Sequence, residues 1–139
     1  MRRYLIVANQ TLTGPHLMSE VASRQGAEPS RFHVVVPATR SHAGAMWTEG
    51  EARARARRQL DTALEQLRAG GFEVSGELGD ESPVQAVGDV LRRDRFDEII
   101  VSTLPPGLSK WLKLDLPHRL EKTYHIPVTH VMPSRETVS

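Results

Sequence analysis

The sequence predicts a single α/β domain on an open, parallel, five-stranded sheet of order 3-2-1-4-5, with helices on both faces. Two observations lead there. Short runs dense in Val, Ile and Leu alternate with stretches of helical period, the pattern of successive βαβ units. Several of these runs are apolar throughout, as strands covered on both faces are. Right-handed crossovers then leave few strand orders, and a Rossmann-like doubly wound sheet sets the first and fourth strands side by side where the winding reverses.

Each element has a local reason. Tyr4 to Ala8 reads as the first strand, and Gly14-Pro15 opens a helix running through Arg24. Phe32 to Val36 is the second strand. The second helix begins at Thr48, where Thr48 and Glu51 have capping-box spacing, and its apolar face is Ala52, Ala56, Leu60, Ala63, Leu64 and Leu67. Gly70-Gly71 ends it. Phe72, Val74, Gly76 and Leu78 alternate as a third strand, and Ser82-Pro83 has the form of an N-cap followed by proline at the first helical position. Val84, Val87, Val90 and Leu91 line that third helix. Glu98 to Ser102 is the fourth strand. Leu116-Pro117 opens a last helix with Leu120 and Tyr124 turned inward, and Ile126 to Met132 supplies the fifth strand. The domain therefore spans residues 1–133, and 134–139 form a polar tail.

Composition bounds the function. A chain of 139 residues fits one domain, and a domain of that size buries roughly 68% of its unfolded surface, enough for a core without staples. The absence of cysteine excludes disulfides, thiolate zinc sites and cysteine nucleophiles, and fits a reducing cytoplasm. A formal charge of +1 gives no overall field toward nucleic acid or an anionic membrane. The apolar run after Met1-Arg-Arg is too short for a signal sequence or a membrane span. Neither a nucleic-acid nor a membrane partner is expected.

A doubly wound sheet takes ligands outside the carboxyl ends of its strands, at the reversal point. That places Asn9, Gln10 and Thr11 after the first strand, Ala38, Thr39 and Arg40 after the second, and Ser102 through Lys113 after the fourth at the site. The candidate ligand-binding set is Asn9, Thr11, Thr39, Ser102, Thr103, Gly107 and Lys110. The hydroxyls offer hydrogen bonds, Gly107 a flexible backbone point and Lys110, with Lys113, positive charge. The same residues also suit a rigid Pro105-Pro106-Gly107 turn with strand-end hydroxyls and solvated lysines. Trp111 fits packing under the loop, or against a partner subunit, better than stacking on a ring. Trp47 and His42 sit in the connection from Thr39 to Glu49, which is long enough for a flap. The six histidines lack H-E-x-x-H or acidic pairing at ligand spacing, so no metal is expected. Arg53, Arg55, Arg57 and Arg58 are interleaved with alanine and glutamate, as on a solvated helix face.

The order of elements, the turn Gly79-Asp80-Glu81-Ser82-Pro83, and the run from Asp97-Glu-Ile-Ile-Val-Ser-Thr to His125-Ile-Pro-Val-Thr-His-Val131 resemble the universal stress protein family, over nearly the whole chain. The resemblance implies an adenine nucleotide alpha hydrolase-like fold, a non-enzymatic stress-response role, dimers through the last strand, and ATP or AMP as ligand. In that family a loop G-x-x-G, nine residues, then G-S/T holds ATP phosphates, and an Asp ends the first strand. Here Ser102 and Pro105 stand for the first two glycines, Asp115-Leu116 for the final pair, and Asn9 for the Asp. Proline has no N–H and a fixed φ, so it cannot copy a glycine cradle. Asp115 would oppose a polyphosphate unless turned away to cap the last helix. The S-G-G-x-D-S and H-x-G-H motifs of catalytic relatives are absent, as are serine-elbow and Walker motifs, which favours a non-enzymatic role.

Two functions follow from this reading. One is a module binding a nucleotide or other small anion between strands one and four. The other is a ligand-free homodimeric interaction protein that pairs through the final strand and buries Val128, Val131 and Met132.

Overall fold

The computed structural model describes residues 1–8, 11–12, 14–38, 49–104 and 109–133. Five parallel strands carry the expected order: β1 (Arg2–Val7), β2 (Ser30–Pro37), β3 (Glu73–Gly79), β4 (Glu98–Ser102) and β5 (Val128–Val131) form the sheet β3-β2-β1-β4-β5. Helices α1 (Pro15–Ala27), α2 (Glu49–Ala69), α3 (Pro83–Leu91), α4 (Lys110–Lys113) and α5 (Leu116–Tyr124) connect them.

Alternation along β1 divides the core into two layers. Tyr4, Ile6 and Ala8 face α1 and α2, where they meet Leu17, Val21, Leu60, Ala63, Leu64 and Leu67. Leu5 and Val7 face α3 and α5 and meet Val87, Val90, Leu116 and Leu120. Tyr4 stacks on Phe32 at 5.3 Å, and Phe72 meets Phe32 edge-on at 6.4 Å. The apolar face read for α2 is buried from Leu60 onward, while Ala52 and Ala56 are half-buried. The central strands are therefore covered on both faces, which is why they read as continuous apolar runs.

Local signals set the helix ends. Ser82 caps α3 by accepting from the Gln85 N–H at 3.4 Å, with Pro83 next in the chain. Gly71 takes φ +89°, the left-handed turn that lets the chain leave α2 for β3. Gly88 on α3 lets the Tyr124 ring of α5 lie against the helix, with the Tyr124 hydroxyl donating to the Val84 carbonyl at 2.6 Å. Helix α1 runs to Ala27 rather than stopping at Arg24. Arg24 instead anchors the sheet, donating to Glu20 at 2.7 Å and to the buried Glu98 at 2.8 Å. Strand β5 is shorter than expected: Pro127 has no N–H, and its carbonyl accepts from Ile99 at 2.9 Å before the ladder begins at Val128. The Thr48–Glu51 capping box and the tail from residue 134 involve residues outside those described.

Candidate functional site

The carboxyl ends of β1 and β4 lie side by side, because Val7 pairs with Val101. Just beyond them three side chains from separate parts of the chain meet. The Thr11 and Ser102 hydroxyls are 2.6 Å apart, and the His16 Nε2 lies 3.0 Å from the Ser102 Oγ. Ser102 is only 1% exposed and Thr11 6%, so both hydroxyls depend on this chain for their partners. His16 reaches it from the first turn of α1, which Gly14 caps by position and Pro15 opens. Burial holds His16 below the ordinary histidine range, so near neutrality it is an uncharged imidazole.

A second pair sits one strand over. Thr103 donates its hydroxyl to the Leu104 carbonyl at 2.8 Å and lies 2.7 Å from His130 Nε2. Since a hydroxyl has one proton, His130 is the donor in that contact. Burial lowers the His130 pKa as well. The Thr103 N–H bonds to the Val131 carbonyl at 3.0 Å, carrying the β4–β5 ladder past the end of β4.

Of the residues read as ligand-binding, Thr11, Ser102 and Thr103 are brought together in this way. Lys110 is exposed at the start of α4, behind Ser109, whose Oγ accepts from the Leu112 N–H at 3.3 Å. Lys110 makes no ion pair among the described residues. Asn9, Thr39 and Gly107 lie outside the described residues, as do Gln10, Arg40, Pro105, Pro106, His42 and Trp47. Trp111 is half-buried against the α3/α5 layer, as the packing reading expects.

Asp115 occupies the N-cap position of α5 without capping it through its side chain, so the expected carboxylate cap is corrected. Its carboxylate instead faces His118 Nδ1 at 3.1 Å. The backbone there is left-handed, φ 54° and ψ 45°, a conformation costly for most side chains and tolerated by Asp. That is the position where the resemblance puts a glycine, the residue for which such a backbone is least costly. Sequence reading also missed helix α4, one turn nucleated by Ser109, and the roles of His16 and His130. Among the described residues no three His, Cys, Asp or Glu side chains converge as a metal site would require, and no helix is long and apolar enough to cross a membrane.

What the described residues of the site offer is neutral: two buried hydroxyls, a hydroxyl–imidazole pair and an uncharged histidine. Such groups hydrogen-bond a sugar, a base or a singly charged group, and they supply no fixed positive charge for a polyphosphate.

The topology defines the class, a doubly wound α/β sheet whose first and fourth strands lie side by side where the winding reverses. Within that class the fold is that of universal stress proteins. The crystal structure of a protein from the universal stress protein family from Burkholderia pseudomallei superimposes with a TM-score of 0.65 at 15% identity, covering 92% of this chain and 93% of the other. The universal stress protein from Archaeoglobus fulgidus superimposes with a TM-score of 0.65 at 14% identity, covering 94% and 93%. No protein-family model matches the sequence, and neither does any curated protein.

Proposed function

We propose that this chain is a universal stress protein-like regulatory module of the stress-response type, whose crevice between β1 and β4 binds a nucleotide or other small anion without turning it over. The observation that carries the reading is the buried Thr11–Ser102–His16 chain at the fold's ligand position. Full superposition on two proteins of that name supports the family assignment. Pro105 and Pro106 remove two N–H donors from the loop after β4, and the described site adds no cation. The ligand expected is therefore one recognised through hydroxyl and imidazole contacts, AMP ahead of ATP. A chain without cysteine suits the cytoplasm as its place of action.

Thermal unfolding with and without AMP, ATP, cyclic AMP and inorganic phosphate tests this reading. A ligand present at 100 times its dissociation constant adds about 2.7 kcal/mol to stability. No shift with any of the four at millimolar concentration would overturn it.

A second reading rests on β5. Among the described residues this strand pairs with β4 alone, its four residues are half-buried, and Met132 just after it is 41% exposed. An edge of that kind accepts a second copy of the chain. Light scattering at micromolar concentration should give twice the 15.5 kDa chain mass, and Val131→Lys should return the monomer.

A further inference from the structure

The open face of the β2–β3 pair carries a second constellation, remote from the crevice. Register sets His33 opposite Ser75 and Val35 opposite Glu77, with His33, Ser75 and Glu77 on the face that α3 only partly covers. The His33 Nδ1 lies 2.7 Å from the Ser75 Oγ, and its Nε2 lies 2.7 Å from the Glu77 Oε1. Arg93, just past the end of α3, donates to the same Glu77 oxygen at 2.6 Å. Ser75 is exposed, whereas His33 and Glu77 are half-buried. The Phe96 ring lies 6.2 Å from the imidazole, and the Arg3 guanidinium lies 5.2 Å from the Phe96 centroid.

The protonation pattern follows from the carboxylate. Burial alone would raise the Glu77 pKa, but hydrogen bonds from Arg93 and His33 outweigh it and hold the group ionised. An ionised carboxylate only accepts, so His33 Nε2 carries the proton, and in the neutral imidazole Nδ1 accepts from the Ser75 hydroxyl. The result is a hydroxyl, a base and a carboxylate that orients the base, in one line.

A donor for developing negative charge is adjacent. Ala38 donates to the Gly79 carbonyl at 3.2 Å, and backbone groups alternate sides along a strand, so those of Glu77 and Ser75 face β2. The Gly76 N–H, directly after Ser75, therefore points away from β2, toward the edge of β3 that pairs with no strand among the described residues. A backbone N–H from the residue following the nucleophile is a known source of oxyanion stabilisation.

We propose that Ser75, His33 and Glu77 form an acyl-transfer site that accepts small activated carboxylic esters. Ser75 Oγ attacks the acyl carbon while its proton passes to His33 Nδ1. The ester C–O bond breaks, the alcohol leaves with that proton, and the acyl group stays on Ser75 until water releases it as the acid. Glu77 is a positioning residue that fixes the imidazole and balances its transient charge, and Arg93 holds Glu77. The site stands on its own residues and does not depend on ligand binding in the crevice.

The probe is p-nitrophenyl acetate, followed by p-nitrophenolate release and by mass mapping of the acetylated peptide. The full-length protein should release a burst stoichiometric with protein and carry one acetyl group on Ser75. S75A should lose burst and label. H33Q should slow acylation about a hundredfold. E77Q should slow it less, and E77D should restore part of the rate, a rescue that a packing role would not give because Gln matches Glu more closely in size. Because Ser75 is exposed, S75A is expected to fold normally, and an unchanged unfolding midpoint checks this. Acetylation spread over lysines and equal in wild type and S75A would overturn the proposal, as would wild-type rates in H33Q.

Discussion

Replacing Ser102 with alanine removes the middle of the buried chain that joins β1, β4 and α1. Two hydrogen bonds go, at 2.6 Å to Thr11 and 3.0 Å to His16. Each contributes about 1 kcal/mol net, and a buried partner left unpaired costs about 1–3 kcal/mol. The two losses do not simply add. His16 is part-buried and can turn to water, whereas the Thr11 hydroxyl, on a residue 6% exposed, cannot. The cavity is a single hydroxyl and adds little. A destabilisation of about 2 kcal/mol results, or roughly 6–8 °C in the unfolding midpoint for a domain of this size. Urea unfolding of S102A should lower the midpoint concentration with an unchanged slope. Thr11→Val combined with S102A should cost less than the sum of the single changes, because it removes the orphaned partner together with its loss. A Ser102→Ala variant within about 0.5 kcal/mol of wild type, well below the value worked out from these contacts, would refute the idea that these hydroxyls form a buried network.

Other outcomes follow from the same geometry. His125 ends α5 with φ 58°, so His125→Gly should stabilise the protein by about 0.5–1 kcal/mol in urea unfolding, relief of the left-handed strain exceeding the entropy of glycine. Gly88→Ala gains about 1 kcal/mol of helix propensity, but its methyl collides with the Tyr124 hydroxyl and displaces it from the Val84 carbonyl. The net effect should be a loss of about 1–2 kcal/mol, eased when Tyr124→Phe is added. His16 and His130 are both held below the ordinary value of 6.5 by burial. The unfolded chain therefore binds more protons as pH falls past that value, and the stability these residues contribute near pH 7 is lost on acidification. A His16→Gln, His130→Gln double variant should show a flatter stability profile between about pH 7 and 5, measured by urea unfolding at each pH. An unchanged slope would mean that neither ring is buried as described.

Much of the fold could be read from residue order. The Glu98–Ser102 strand is a β-branched run between polar neighbours, and the structure begins and ends it at those residues. Ser82-Pro83 announces its helix because capping and proline chemistry act within four residues. Legibility fades where structure depends on distant contacts. The single turn of α4 has no period to detect. Thr11 and Ser102 were legible from the rule for strand ends, but His16 was not, because its role needs α1 to start beside the end of β4. His130 reads as one more residue of an edge strand until the β4–β5 register sets it against Thr103. The Ser75–His33–Glu77 line is likewise invisible along the chain: its members are 42 and 44 residues from His33, and only the parallel register of β2 and β3 joins them.

The crevice is tested most directly by two-dimensional amide NMR of the labelled protein titrated with AMP and, separately, ATP. Saturable shifts should centre on Thr11, His16, Ser102 and Thr103, with ATP binding no tighter than AMP because the loop after β4 has lost N–H donors to proline. Shifts confined to residues far from the ends of β1 and β4, or none with either nucleotide, would contradict the account.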